Sequence, residues 1–232
     1  MSHPILNSFP RDLITVNSGT LADVLDGMNH FGGFPSAIRP INGPSKRFLG
    51  RAYTVRWAPT RKSHSIVAPQ ASTWEQVRDF LAPNCADGSG RAYVAGTDTG
   101  ALVSELALAG GFSATDIQSR GFVSLVLGGA IRDAHVVQKL DVPVWATGFV
   151  PADTQGSYRV AECGTWCNVG GQRVTTGDWL FGDETGLICI PASIAEKAFE
   201  ETVRIEGVEK NLADLIASGK SLFDAVAQLG RL

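Results

Sequence analysis

From Phe122 to Leu127 the chain reads Phe-Val-Ser-Leu-Val-Leu, an apolar run without charge. A strand buried on both faces has this pattern, because neither side of it meets water. Before it, Phe112 to Arg120 is patterned for a short helix, with Gly121 placed as its C-cap. After it, Gly128-Gly129 breaks the strand, His135 to Leu140 reads as the next helix and Val142 to Ala146 as the next strand. This alternation predicts a central βαβ unit and an α/β fold.

The flanks follow the same logic. Met1 to Val16 reads as an arm, since Pro4 and Pro10 prevent a long helix. Ser18 is the expected N-cap of a helix carrying Leu21, Val24, Leu25 and Met28 on one face, with Gly32-Gly33 as its end. Arg51 to Trp57 alternates as a half-buried strand, Ser72 to Leu81 is amphipathic and helical, Ala86 to Gly90 is a loop and Arg91 to Ala95 a short strand. Between Tyr158 and Ile190 the texture changes to short strand candidates separated by glycine turns, which predicts a β layer. Residues 191–232 read as C-terminal helices, with apolar positions at three- and four-residue steps from Ile194 to Leu215 and a restart at Gly219 and Ser221. With no internal repeat and no long linker, one domain over residues 1–232 is expected.

Composition narrows the function classes. A hydrophobic content of 44% with 19% charged residues argues for a packed domain and against disorder. The formal charge of −3 leaves no electrostatic footprint for nucleic acid. No apolar run approaches the roughly 18 residues of a membrane helix, and no basic start precedes an apolar core. Four cysteines are too few to act as a disulfide scaffold, so a reducing, cytoplasmic setting is expected.

Chemistry concentrates past the end of the buried strand. Arg132-Asp133 follows a glycine pair there, and ligands of open α/β sheets gather beyond strand carboxyl ends. Arg11-Asp12 and Arg78-Asp79 lack that setting. Gly111 precedes Arg132 with 20 residues between them, and Asp133 follows at once. This resembles the Gly-x20-Arg-Asp signature of the RraA-like family, which includes regulators of ribonuclease activity. It is also close to the Asp-x20-Arg-Asp form of the metal-dependent 4-hydroxy-4-methyl-2-oxoglutarate aldolases. Ser18–Asp26, Ile38–Ile41, Gly50–Pro59 and Gly177–Pro191 resemble further family blocks in the same order, so the resemblance runs from Ser18 to Arg204. His64 to Arg91 matches least.

The resemblance implies an RraA-like swivelling β/β/α architecture, with the central βαβ unit, a β layer and C-terminal helices. It also implies a homotrimer or homohexamer with sites at subunit boundaries. Gly110, Gly111, Phe112 and Ser113 would approach the substrate, Arg132 would meet a carboxylate or enolate oxygen, and Asp133 would hold Mg²⁺ or Mn²⁺. The residue types suit those roles. A helix start bared of Cβ atoms presents free N–H groups to an anion, guanidinium is a planar fork, and carboxylate is a hard oxygen ligand. The expected function is a divalent-metal-dependent lyase on a 2-keto acid, by retro-aldol cleavage or decarboxylation through a pyruvate-type enolate. The alternatives are a non-catalytic protein–protein regulator, or an enzyme applying the same enolate chemistry to another substrate.

Each residue also has a plainer reading. Arg132 and Asp133 could be a solvated pair capping a helix, Gly110 to Ser113 a simple loop, and His135 a surface histidine. Cys163 and Cys167 read as ordinary thiols, because no second pair completes a zinc site. The lysines sit in polar or amphipathic surroundings, which argues against an imine mechanism. Two positions depart from the family pattern. Gly111 stands where the aldolases carry an acid, and Val136 stands where an acid follows Asp133 by three. Glu105, Asp98 and Asp116 are the other acids nearby in sequence.

Overall fold

The computed structural model describes residues 16–43, 47–60, 87–154 and 156–229. In chain order its elements are α1 (Ser18–Gly27), β1 (Arg39–Pro40), β2 (Phe48–Pro59), β3 (Arg91–Thr97), β4 (Val103–Ala107), α2 (Gly111–Ser119), β5 (Ser124–Leu127), β6 (Gly129–Ala130), α3 (Ala134–Val137), β7 (Val144–Ala146), β8 (Tyr158–Cys163), β9 (Trp166–Val169), β10 (Gln172–Thr175), β11 (Trp179–Gly182), β12 (Leu187–Ile190), α4 (Ala195–Ala217) and α5 (Leu222–Leu229). The Ser72–Leu81 helix and the Met1–Thr15 part of the arm lie outside the described residues.

Strand β2 organises the main sheet. It pairs in parallel with β3 from Arg51 to Trp57, while its other edge pairs first with β11 and then, from Val55 onward, with β8. A bulge between Arg56 and Trp57 accompanies the change of partner, and bulges of this kind bend a strand. The sheet runs β1-β7-β5-β3-β2-β11-β12, with β8, β9 and β10 attached at its side. Strands β2, β3, β5 and β7 are parallel neighbours and the remaining pairings are antiparallel.

Alternation along the strands divides the core. Tyr53, Val55, Trp57, Tyr93, Leu125 and Leu127 face the side covered by Ala114 and Ile117 of α2 and Val137 of α3. Ala52, Ala92, Val94, Val126 and Trp145 face the other side, against Cys167, Val169 and Val174. Each fully buried leucine in such a layer is worth about 2 kcal/mol of transfer free energy. Helices α1 and α4 close a third cluster over Trp179, Phe181, Ile188 and Ile190. Val203, Ile216, Leu222 and Phe223, on the two C-terminal helices, stay exposed.

The α/β class, the βαβ unit and the C-terminal helices are as expected; several boundaries are not. The N-cap of α1 is Asn17, whose side chain accepts the Thr20 N–H, while Ser18 is the first helical residue. That helix stops at Gly27, well before Gly32-Gly33, because Asn29 takes a left-handed conformation at φ +58°. Strand β2 is longer than Arg51–Trp57, and a neighbour on each edge leaves its centre buried. The helix expected over His135–Leu140 is the single turn Ala134–Val137. Gly128-Gly129 does more than end β5: Gly129 and Ala130 start β6, which pairs in parallel with β4. A Cβ at residue 129 would lie 2.4 Å from the Val103 carbonyl oxygen, so this pairing requires glycine. Strand β4 itself, Val103–Ala107, has too mixed a pattern to be read from sequence. The β layer over 158–190 is built from strands of the same sheet, through the pairings of β8, β9 and β11 with β2 and β3.

Candidate functional site

Three chain segments meet beyond the carboxyl ends of β5 and β7. Leu108 N–H donates to Ala130 O at 2.9 Å and Arg132 N–H to Ala109 O at 3.1 Å. Ile131 N–H donates to Gly148 O at 3.0 Å, and Val150 N–H returns the bond to Ile131 O at 3.0 Å. Ala107 N–H donates to Ala152 O at 2.8 Å. These bonds fix segments 107–110, 130–133 and 148–153 side by side around a recess. It is lined by Ala107, Leu108, Ala109, Gly110, Phe112, Ser113, Arg132, Asp133 and Asp153.

The backbone at Asp133 explains why two successive charged residues share one recess. Along extended chain, neighbouring side chains point to opposite faces. Asp133 lies at φ +61°, ψ +50°, which breaks that alternation and turns the chain into α3. Aspartate tolerates the left-handed region better than most residues, at a cost of about 1 kcal/mol. Strain of this kind gathers at functional sites.

Gly110 and Gly111 serve the site in different ways. Asp133 Oδ2 accepts the Gly111 N–H at 2.8 Å, at the start of α2. A Cβ at residue 110 would lie 2.8 Å from that oxygen and 3.1 Å from Arg132 Nε, so only glycine lets the carboxylate dock there. A Cβ at residue 111 would lie 2.9 Å from Val136 Cβ. The two departures from the family pattern therefore face each other, as an apolar contact.

The expected anion cradle is thus partly used by the protein itself. The Gly111 amide is engaged by Asp133, whereas Phe112 and Ser113 amides make no hydrogen bond among the described residues. Ser113 is buried, and Phe112 stands at the rim, 90% exposed. Arg132 lies 3.9 Å from Asp133 Oδ2 through Nε and is ion-paired at 3.1 Å with Asp153 Oδ2 through Nη1.

All six residues expected from sequence, Gly110, Gly111, Phe112, Ser113, Arg132 and Asp133, come together here. His135 is exposed and outside the recess; exposed Asp98 and Glu105 and half-buried Asp116, which pairs with Arg120 at 3.0 Å, also lie outside it. Cys167 is buried in β9, and burial pushes its thiol up to about 12, which leaves it protonated and a poor ligand. Sequence reasoning missed Asp153. The available signal was its place in the connection after β7, another parallel strand ending at the same edge of the sheet. A larger cavity, about 430 Å³, lies between α1 and Trp145, but its Glu184 is paired with Arg47 at 3.2 Å and it offers no comparable grouping.

The donors suit a hard cation. The recess holds two carboxylates and no thiolate or imidazole, the oxygen chemistry preferred by Mg²⁺ and Mn²⁺. Asp133 has one oxygen not engaged by Gly111. Among the described residues no three His, Cys, Asp or Glu side chains form a cage. An ion here would therefore keep several waters, as Mg²⁺ commonly does.

The pattern of the RraA-like family, Aldolase/RraA, matches residues 21–189. The chain belongs to the RraA-like family. It is 27% identical over 217 residues to the protein DlpA of Legionella pneumophila, a match covering 93% of this chain and 32% of DlpA. It is 30% identical over 160 residues to a Burkholderia multivorans protein provisionally named 4-hydroxy-4-methyl-2-oxoglutarate aldolase, covering 68% of this chain and 84% of that one. The chain spans less than two thirds of the length of several relatives that it matches. Among solved structures it is similar to Streptomyces coelicolor RraAS2, described as an unusual member of the RNase ES inhibitor RraA protein family. The TM-score is 0.68 at 22% identity, covering 86% of this chain and 93% of that one. This RraA-like chain therefore shares the family's fold, and no described helix is long and apolar enough to cross a membrane.

Proposed function

We propose that this RraA-like protein is a carbon–carbon lyase acting on a 2-keto acid, with Mg²⁺ or Mn²⁺ held by Asp133. The observation that carries the reading is the recess itself, where a guanidinium, a carboxylate with an open oxygen and unengaged helix-start amides converge. The Phe112 and Ser113 N–H groups bind the substrate carboxylate and set its orientation. Arg132 faces the keto oxygen. As the bond between C3 and C4 breaks, C4 leaves as a carbonyl group after its hydroxyl proton passes to water, or as CO2 where C4 is a carboxylate. The C3–C4 electron pair moves into the keto group, and Arg132 stabilises the negative charge on the enolate oxygen. A proton from water then reaches the methylene carbon and completes pyruvate. The divalent ion, when bound, supplies Lewis-acid polarisation of the same keto oxygen. Exposed Phe112, together with Val203, Ile216, Leu222 and Phe223, fits burial in a symmetric oligomer, here a homotrimer or homohexamer.

The test is a screen of 2-keto acids, including oxaloacetate and 4-hydroxy-4-methyl-2-oxoglutarate, for pyruvate release with and without Mg²⁺ or Mn²⁺. Stimulation by the ion in wild type, lost in Asp133→Asn with the fold intact, is the expected result. Equal turnover by the two proteins would refute the role of Asp133. A second reading, a non-catalytic protein–protein regulator, draws support from the apolar contact between Gly111 and Val136 and from the likeness to RraAS2. It requires that neither protein turns over any keto acid.

A further inference from the structure

The recess has two acidic groups, and the Arg132-Asp133 motif accounts for one of them. Val136 and Gly111 are uncharged and packed against each other. Asp153 supplies the second. It arrives from a connection 20 residues downstream of Asp133, because Ala107 pairs with it in a parallel bridge. Its Oδ2 lies 3.1 Å from Arg132 Nη1, and its Oδ1 accepts the Thr154 hydroxyl at 3.3 Å. Thr154 is buried, so the carboxylate is steadied from the protein side. Its side chain is 26% exposed, against 39% for Arg132.

Charge arithmetic shows what this second acid does. Arg132, Asp133 and Asp153 together carry one net negative charge. A divalent cation with a keto-acid monoanion such as pyruvate brings one net positive charge, which these three side chains match. Without Asp153 the same contents would leave a surplus positive charge in a partly desolvated place, where charge imbalance is costly. Asp153 also bears on geometry. Among the described residues Arg132 makes no aligned side-chain hydrogen bond, so the ion pair sets where the guanidinium lies while its N–H groups stay open to a ligand.

We propose that Asp153 is a positioning residue of this site, which anchors the Arg132 guanidinium and balances the charge of a bound divalent cation. The proposal rests on the keto-acid reading above, and it predicts that removing the acid weakens cation binding without weakening anion binding. The experiment uses the full chain and its Asp153→Asn and Asp153→Glu variants. Mn²⁺ binding is followed by electron paramagnetic resonance, and pyruvate binding in EDTA by calorimetry. Asp153→Asn should weaken Mn²⁺ binding about ten-fold, the effect of removing one nearby charge at intermediate dielectric. It should leave pyruvate binding in EDTA unchanged or tighter, and Asp153→Glu should restore Mn²⁺ binding.

Turnover supplies a further readout: a displaced guanidinium lowers kcat in Asp153→Asn more than it raises KM. Unchanged Mn²⁺ affinity in Asp153→Asn overturns the proposal. So does joint loss of Mn²⁺ and pyruvate binding without rescue by glutamate, which would mark a merely structural role. Absence of any Mn²⁺ binding by wild type overturns it as well. If the binding pattern holds but no 2-keto acid is cleaved, the lyase reading fails while the role of Asp153 stands.

Discussion

Two aspartates of this protein each dock on the start of a helix, yet they do opposite things. Asp183, in the turn between β11 and β12, faces α1. Its Oδ2 accepts the Ser18 N–H at 2.7 Å, and its Oδ1 accepts the Ser18 hydroxyl at 2.7 Å, the Thr185 N–H at 2.8 Å and the Gly186 N–H at 3.2 Å. It is 1% exposed. Asp133 faces α2, accepts one amide and has a side chain 38% exposed. A carboxylate whose acceptor sites are all used holds the fold together. One that is anchored by a single bond, and held on a strained backbone, is positioned with capacity to spare for a ligand.

The largest expected effect tests the open side of that comparison. Arg132→Lys keeps the charge next to Asp133 but loses the planar fork. On the proposed lyase reading, turnover should fall on the order of 100-fold, more through kcat than through KM, because that reading has Arg132 meet developing charge. Oxalate, a planar mimic of the enolate, should inhibit wild type well and this variant poorly. Near-normal turnover and oxalate sensitivity would reduce Arg132 to a helix-capping charge.

The closed side is tested by stability. Asp183→Ala leaves four donors without their acceptor and should cost about 2–4 kcal/mol in denaturant unfolding, whereas Asp133→Ala should cost under about 1 kcal/mol. Similar losses for the two would erase the distinction. Acid adds a second measure. Burial alone would raise the Asp183 carboxyl, but the Ser18, Thr185 and Gly186 donors outweigh it and hold the group below its ordinary value of 3.8. Its stabilising contribution is therefore present in full above that value and is lost as pH falls through the lower folded value. Wild type should lose stability on acidification below 3.8 more steeply than Asp183→Asn. Parallel curves would place the acid sensitivity elsewhere.

The smallest effect concerns the contact between α2 and α3. Gly111→Ala should destabilise by about 1–2 kcal/mol through overpacking against Val136. Adding Val136→Ala should recover part of that loss, with a coupling energy of about 1 kcal/mol. Additive costs would mean that the residues do not share the space.

The elements that could be read in advance are those in which local pattern and environment agree. The uncharged run ending at Leu127 had to lie between two layers, and the spaced apolar positions after Ile194 had to form a helix with one covered face. Strand β4 was not legible, because Val103–Ala107 gains its role from pairing with two residues of β6. The cap of α1 was displaced by one residue for a similar reason. Ser18 is recruited by Asp183 from 165 positions away, which leaves Asn17 to cap the helix.

The sequence by itself determined the α/β class, the family resemblance and six residues of the candidate site. All of these rest on short-range spacing: a fixed interval from Gly111 to Arg132, and adjacency between Arg132 and Asp133. Tertiary structure alone decided which groups those residues meet. It brought Asp153 to Arg132, docked Asp133 on the Gly111 amide and set Val136 against Gly111. The physical reason is that these partners arrive on separate segments, whose meeting depends on backbone pairing such as the Ala107–Asp153 bridge, and that pairing leaves no trace in local hydrophobic period.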